Sequence, residues 1–141
     1  MAEEKTIENE ITEIVEKIKE IGARLVQILT RPENLDNWKE KKEKNEMIKN
    51  SNQKGIYAFF DSNEGKFLYI GQASQGAGSI GGEVWRYLKD KREFVEDADI
   101  LYTLALPFLE DKETIIPALE SILIAYCKPK HNREIKYQKE E

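Results

Sequence analysis

An α+β fold is expected for this chain, with a small, mainly antiparallel sheet of three or more strands flanked by helices. Three features of the sequence point to it: an amphipathic N-terminal segment, two short β-branched and aromatic segments joined by a polar turn, and an apolar helical segment towards the C-terminus. The chain has 141 residues, 40% of them hydrophobic. That length and composition suit one compact domain.

Composition also excludes several classes of protein. No segment approaches the roughly 18 apolar residues of a membrane span, and the Glu- and Lys-rich start lacks the apolar core of a secretory signal. We therefore predict an intracellular, cytoplasmic protein without membrane contact. A single cysteine, Cys127, excludes an intrachain disulfide, and a single histidine, His131, leaves too few ligands for structural zinc. Any metal ion would bind to oxygen ligands.

The net charge of −5 argues against a protein that wraps long stretches of nucleic acid, because such binding is largely cation-to-phosphate. The charge is unevenly distributed along the chain. Residues 37–54 and 128–141 are modestly basic, whereas residues 83–113 are acidic. A local phosphate contact through either basic segment remains compatible with this pattern.

The N-terminal segment is predicted to be a long amphipathic helix. Its apolar residues recur at alternating steps of four and three: Ile7, Ile11, Ile14, Ile18, Ile21, Leu25 and Ile28. With Ile11 at heptad position a, Val15 and Leu29 fall at position e, so the apolar face is wider than a two-stranded seam requires. A wide face favours packing against the protein's own body, and a homodimer or partner helix through residues 7–29 is the alternative. Pro32 is expected to end this helix.

The middle of the chain predicts a β-hairpin. Residues 33–54 are polar and Lys-rich and are interpreted as a second, weakly packed helix and a linker. Residues 55–60 and 66–71 then form two β-branched and aromatic segments around a polar turn.

The register of this hairpin decides which side chains meet. A five-residue turn symmetric about Asn63 would place Tyr57 opposite Tyr69 and Gly55 opposite Gly71. Directly opposed residues project to one side of a sheet, so two phenolic hydroxyls would emerge side by side.

The remaining segments complete the predicted fold. They are a loop of small residues (72–82), a helix with Arg86 in its first turn (83–97), a buried strand (99–106) and a helix (114–128) with Pro117 in its first turn.

Two motif matches are set aside. Residues 76–81 match the dinucleotide pattern GxGxxG, but the preceding strand ends at Gly71, whereas the phosphate-binding turn follows its strand at once. A flexible loop is the better interpretation. Cys127, His131 and Asn132 are residue types of a thiol hydrolase, but such groups meet from distant segments rather than within six residues. Cys127 is interpreted as a buried small hydrophobe.

Glu120 is the only charged residue between Ile115 and Cys127, in a segment that is apolar nearly all round. Burying its carboxylate would cost several kcal/mol, to order of magnitude, without a cation or hydrogen bonds. A hydrated magnesium ion held by one carboxylate and a substrate phosphate is one solution. A solvent-facing position at the helix edge is the alternative.

Several of these features occur together between residues 54 and 133. They are the tripeptides Gly55-Ile56-Tyr57 and Tyr69-Ile70-Gly71, the helical Arg86, and the twelve-residue step from Glu120 to Asn132 across Lys128-Pro129-Lys130. Together they resemble the GIY-YIG nuclease superfamily. The conjunction is specific, although each short motif alone is not.

The resemblance implies a metal-dependent endonuclease that hydrolyses DNA phosphodiester bonds. It implies roles for five residues: Tyr57 acting as or positioning the general base, Tyr69 beside it, Arg86 stabilising charge on the phosphoryl oxygens, Glu120 holding Mg²⁺ or Mn²⁺, and Asn132 orienting the carboxylate or a water. Nucleic-acid contacts are expected from Lys54, Gln72, Lys128, Lys130 and Arg133, supported by residues 39–54 and by Lys136.

Some positions differ from the usual family pattern. Gln72 stands where lysine is common, and Asp90 stands where histidine or tyrosine is frequent. The seventeen-residue step from Tyr69 to Arg86 makes Arg92 a second candidate for the arginine role. The alternative function is therefore a catalytically weakened or inactive domain that acts as a nucleic-acid or protein binding module.

The predicted domain organisation has three parts. Residues 1–53 form an N-terminal helical region and Lys-rich linker, residues 54–135 a GIY-YIG-like nuclease domain, and residues 136–141 a charged tail.

Overall fold

The computed structural model describes residues 2–29, 31–40 and 52–132. These ranges form an α+β fold, which confirms the predicted class. The elements in chain order are α1 (Ala2–Ile28), β1 (Arg31–Asn34), α2 (Leu35–Lys39), β2 (Gly55–Asp61), β3 (Lys66–Ala73), α3 (Ile80–Asp90), α4 (Glu93–Asp97), β4 (Ile100–Ala105) and α5 (Lys112–Cys127). None of the helices in this part of the chain is long and apolar enough to cross a bilayer.

The sheet has the strand order β1-β4-β2-β3, and all neighbours pair antiparallel. β4 lies between two strands, as its continuous apolar sequence predicts. β1 was not predicted, because Pro32 was expected to end the first helix. The helix ends at Ile28, and Pro32 lies in β1 opposite Tyr102. An edge strand tolerates proline because one side of its backbone has no strand to pair with.

The predicted hairpin is present, but its predicted register is wrong. Tyr57 lies opposite Gly71, and Phe59 rather than Tyr57 lies opposite Tyr69. A β-bulge between Phe59 and Phe60 shifts the pairing, with Leu68 as the extra residue on β3. The turn is also shorter than expected, because Asp61 still pairs with Lys66 and β2 therefore continues through it.

The two faces of the sheet carry separate cores. Tyr57, Phe59 and Leu101 project towards α2, α3 and α4, whereas Ile56 and Ile70 project towards α1 and α5. This separation follows from the period of two along each strand. Residues 31–40 belong to this body, since β1 pairs with β4, and α2 buries two apolar side chains, Leu35 and Trp38. Residues 41–51, which include most of the predicted linker, lie outside the described residues.

The helix predicted over residues 83–97 is two helices. α3 begins earlier, where the Ser79 hydroxyl accepts a hydrogen bond from the Gly82 N–H. It ends at Asp90, because the next residue, Lys91, has a left-handed backbone (φ 53°) that stops the helix before α4. Pro117 lies in the second turn of α5, not the first, because α5 begins at Lys112.

The favoured interpretation of α1, packing against the protein's own body, holds only at its C-terminal end. Leu25 and Leu29 are buried with residues of α5 and the sheet. The isoleucines from Ile7 to Ile21 are 40–58% exposed, so no described residue covers them. For this part of the helix the expectation is wrong, because α1 extends beyond the end of the helix it packs against.

Candidate functional site

Three tyrosines gather on the face of the sheet that α3 and α4 cover. Tyr57 on β2 and Tyr69 on β3 have ring centroids 6.5 Å apart, and Tyr87 on α3 lies 6.1 Å from Tyr57 and 5.3 Å from Tyr69. The hydroxyls of Tyr69 and Tyr87 are hydrogen-bonded at 3.0 Å. The two phenols expected to meet do so, despite the different register, because residues two apart on a strand share a face.

The two glycines of the tripeptides allow this arrangement. A Cβ on Gly71 would lie 2.5 Å from the Tyr57 Cζ, so Tyr57 lies directly over the Gly71 backbone. A Cβ on Gly55 would lie 3.0 Å from the Ala105 Cα and would overlap the Leu104 carbonyl of β4. A side chain at either position would force the strands or the tyrosine apart.

Two arginines border the phenols. The Arg86 guanidinium lies 5.1 Å from the centroid of the Tyr87 ring, and that of Arg92 lies 5.7 Å from it. Arg86 also pairs with Glu83 at 2.5 Å, one turn earlier on α3. Its charge is therefore already shared with a carboxylate. The positive charge of Arg92 acts on Tyr69, where it lowers the pKa against stronger opposing effects.

Glu120 lies on α5, the helix that packs against the other face of the sheet, and it is half-buried there. Its charge contributes to raising the pKa of Tyr69, so the two groups interact electrostatically. Burial raises the pKa of Glu120 from 4.5 to about 7. Within the part of the chain that the structure describes, its carboxylate forms no hydrogen bond or ion pair. The structure thus brings together Tyr57, Tyr69 and Arg86 on one face of the sheet, whereas Glu120 is linked to them only through the effect of its charge on Tyr69.

Burial controls the protonation of the phenols. Tyr57 is 1% exposed, and burial, followed by the neighbouring phenols Tyr87 and Tyr69, raises its pKa well above its ordinary value. Burial and the hydrogen bond to Tyr87 raise the pKa of Tyr69 in the same direction. Both phenols are therefore neutral near pH 7 and can donate a hydrogen bond. Proton abstraction by either would require a nearby cation.

The side chain of Asn132 forms hydrogen bonds with the backbone of β3 rather than with another side chain of the site. Its Oδ1 accepts a hydrogen bond from the Ile70 N–H at 2.8 Å, and its Nδ2 donates to the Ile70 carbonyl at 2.7 Å. The amide thus caps the free edge of β3, next to Tyr69. No contact with the Glu120 carboxylate is present among the described residues, and the expectation that Asn132 orients a water stays a prediction.

Glu120 is the one predicted metal ligand. The side chains around it show what kind of metal site the protein could form. Among residues 2–29, 31–40 and 52–132, no group of three or more His, Cys, Asp or Glu side chains is arranged to hold a metal ion. A cage of protein ligands is therefore absent from this region. A half-buried carboxylate without a cationic partner does suit hydrated Mg²⁺, which binds through one or two carboxylates, its own waters and substrate phosphate.

The predicted phosphate-binding residues lie in different parts of the structure. Lys128 and Lys130 are exposed and line an open groove of about 960 Å³ beside Asn132 at the end of α5. Lys54 instead donates to the carbonyls of Gly76 and Gly78, and so braces the loop before α3.

Gln72 lies on the opposite side of the sheet from the phenols. It is paired with Ile56, which belongs to the core under α1 and α5, and its buried Oε1 has no hydrogen-bond partner among the described residues. Arg133, Lys136 and residues 41–51 of the Lys-rich segment lie outside the described residues.

Tyr87 and Glu83 belong to the site but were not predicted from the sequence. A signal for Tyr87 exists, because it lies seven residues after Ile80 and three after Val84, on the face of α3 that is buried. The resemblance assigned a role to Arg86 but not to Tyr87, the next residue on α3. Glu83 would have been found from its i,i+3 spacing to Arg86.

A scan against models of known protein families finds no match, and a search of curated proteins finds no similar sequence.

Proposed function

We propose that this chain is a metal-dependent endonuclease that hydrolyses DNA phosphodiester bonds at the Tyr57–Glu120 site. The observation that carries the proposal is the Glu120 carboxylate, which is half-buried without a cationic partner among the described residues and whose charge acts on Tyr69. A bound cation would offset its desolvation cost. The GIY-YIG resemblance supports the same assignment.

Each residue of the site has a part in the proposed reaction. Glu120 would hold the divalent ion, Mg²⁺ or Mn²⁺, and the bound ion would supply Lewis-acid stabilisation of the leaving oxygen. The proton of the attacking water would pass to the phenolate of Tyr57, which forms only if the bound ion lowers the pKa of that phenol, and Tyr69 would donate a hydrogen bond to the phosphoryl group. Arg86 and Arg92 stabilise the charge that develops on the phosphoryl oxygens.

Arg92 is the stronger of the two arginine candidates on electrostatic grounds. Arg86 also acts on Tyr57 and Tyr87 but is paired with Glu83, whereas Arg92 acts on Tyr69 and forms no ion pair among the described residues. Lys128 and Lys130 would hold the DNA backbone along the groove at the end of α5, because exposed ammonium groups bind phosphate without reading sequence.

A plasmid-nicking assay tests the proposal. Wild-type protein with Mg²⁺ should nick supercoiled DNA, and Glu120→Ala should slow nicking by roughly a hundredfold or more. Tyr57→Phe removes the innermost hydroxyl and should also slow the reaction. Glu110→Ala, which removes an exposed carboxylate just before α5, is the matched control and should nick at the wild-type rate. Circular dichroism of each variant checks that the fold is retained.

The second candidate function is a non-catalytic binding module. Two observations favour it: Tyr57 is 1% exposed, and Arg86 is already paired with Glu83. The same assay separates the two functions. Equal nicking by wild type and Glu120→Ala would remove Glu120 from the mechanism, and no nicking of supercoiled, branched or single-stranded DNA would favour the binding module.

A further inference from the structure

The unpartnered isoleucines of α1 form a continuous seam, which we call the isoleucine seam. Its members occupy consecutive a and d positions of the heptad: Ile7, Ile11, Ile14, Ile18 and Ile21. Each is 40–58% exposed. Leaving five such side chains in water is unfavourable, since each would gain free energy from burial.

The C-terminal part of α1 packs against the rest of the protein, mainly through position e. Gly22 and Leu29, at position e, and Leu25, at the a position after Ile18, are buried against α5 and its neighbours. A Cβ on Gly22 would lie 2.7 Å from the Tyr126 Cβ, so the two helices cross closely there. The contact with α5 therefore leaves the a and d positions of the seam uncovered by any described residue.

The charge along α1 is polarised. Residues 6–16 contain four glutamates and no basic residue, which gives −4, whereas residues 17–27 contain three basic residues and one glutamate, which gives +2. Two such helices attract when they run antiparallel, because each acidic half lies on a basic half. In a parallel pair the acidic halves would repel each other.

We propose that a second copy of this chain covers the isoleucine seam, with its α1 antiparallel to the first. A two-fold axis near Glu16 would place Ile11 against Ile21 of the second copy and Ile14 against Ile18 of the second copy. The four isoleucines of these two layers are all exposed in a single chain, so a second copy can contact them. The interface is self-complementary, as a two-fold interface requires.

The residues beside the seam support the antiparallel direction. In that arrangement the g-position residue Glu10 lies near Arg24 of the second copy, and the pair occurs twice, whereas Lys17 lies near its own counterpart once at the axis. In a parallel arrangement, g positions face e positions, so Glu10 would face Val15 and Arg24 would face Leu29. Only the antiparallel pair brings opposite charges together. This assembly does not depend on the proposed nuclease activity.

Sedimentation equilibrium of the full chain tests the assembly. We expect a mass of two chains, and Ile14→Lys/Ile18→Lys should raise the dissociation constant by roughly a hundredfold or more. Asn9→Lys/Thr12→Lys adds the same charge at exposed positions outside the seam and should remain dimeric. Emission from the buried Trp38 reports whether each variant keeps its fold. A wild-type mass of one chain, or of more than two, would overturn the proposal.

Charge reversal and crosslinking test the direction. Glu10→Arg and Arg24→Glu should each weaken the dimer by roughly two- to tenfold, and the double variant should restore it. In a Cys127→Ser background, Ile14→Cys mixed with Ile18→Cys should give a mixed disulfide, while neither alone should crosslink. Crosslinking of each single variant with itself would show a parallel pair and refute the antiparallel arrangement.

Discussion

The ring of Tyr57 lies over the backbone of Gly71 on the adjacent strand, with its Cζ 2.5 Å from where a Cβ of Gly71 would be. The pairing follows from the shorter turn and the β-bulge, each of which shifts the register by one residue, so that together they place Tyr57 opposite the glycine instead of Tyr69. The second tripeptide therefore supplies both a phenol and the space that the first phenol occupies. Its tyrosine and its glycine are needed for different physical reasons.

Substitution of Gly71 tests this relationship. Gly71→Ala should lower the free energy of unfolding by about 1–3 kcal/mol, because the added methyl overlaps the Tyr57 ring. Urea denaturation followed by tryptophan fluorescence measures it. A Cβ on Gly65, at the hairpin turn, would meet nothing within 4 Å, so Gly65→Ala carries only the cost of its positive φ. A Gly71→Ala protein as stable as wild type would contradict the close contact.

The hydrogen bonds of the Asn132 amide are expected to stabilise the folded protein, in addition to any part that Asn132 has in the proposed reaction. Asn132→Ala removes both hydrogen bonds to Ile70 and should lower the free energy of unfolding by about 1–3 kcal/mol. Asn37→Ala, at an exposed position on α2, should change it little. Urea unfolding of the two variants provides the comparison. Equal stability of both would show that solvent replaces the bonds to β3 without cost.

Glu120 predicts an unusual pH dependence. Its pKa is about 7 in the folded protein and 4.5 in its ordinary state, so the folded state holds the proton more tightly. The stability that this tighter proton binding gives the folded state is fully present below pH 4.5. It is lost as the pH rises through about 7. Glu120→Gln should therefore be more stable than wild type at pH 8, by about 1 kcal/mol after allowance for screening of a half-exposed group.

Thermal unfolding at pH 5 and pH 8 measures this difference. The stabilisation by Glu120→Gln should be present at pH 8 and small at pH 5, whereas Glu110→Gln should show no such change. Under the proposed function, Mg²⁺ should raise the melting temperature of wild type at pH 8 but not that of Glu120→Gln. A wild-type protein that is insensitive to Mg²⁺ at millimolar concentration would argue against a metal at this carboxylate.

The groove at the end of α5 predicts a salt-dependent contact with DNA. Lys128→Gln/Lys130→Gln should weaken binding and reduce the slope of log K against log salt by about 2, since each lost phosphate contact removes about 0.9. Lys66→Gln/Lys91→Gln is the matched control, because Lys91 has the same left-handed backbone as Lys128. Fluorescence anisotropy over a range of salt concentrations measures both. An unchanged slope for the first variant would place the DNA elsewhere.

The hairpin, the central strand and the main helices could be predicted because their signals are local. Residues 55–60 and 66–71 have strand composition around a polar turn, and α5 follows from a long apolar run. The strand β1 could not be predicted in the same way. Pro32 ends many helices, and its place in a strand depends on β4 being available beside it.

The candidate site was predicted in its residue types but not in its details. The isolation of Glu120 in an apolar segment already indicated that its carboxylate would be costly to bury, and burial does raise its pKa. Tyr87 was missed because its role depends on α3 lying over β2 and β3. The use of the Asn132 amide on Ile70 depends on where the chain passes the edge of β3.

Local patterning thus specified which segments become helices and strands and which residues carry unusual chemistry, because periodicity and side-chain type act over a few neighbours. The pairing of distant segments specified the rest: the hairpin register, the burial of Tyr57 and the exposure of the isoleucine seam. A one-residue bulge or the end of a packed helix changes these without changing any local pattern.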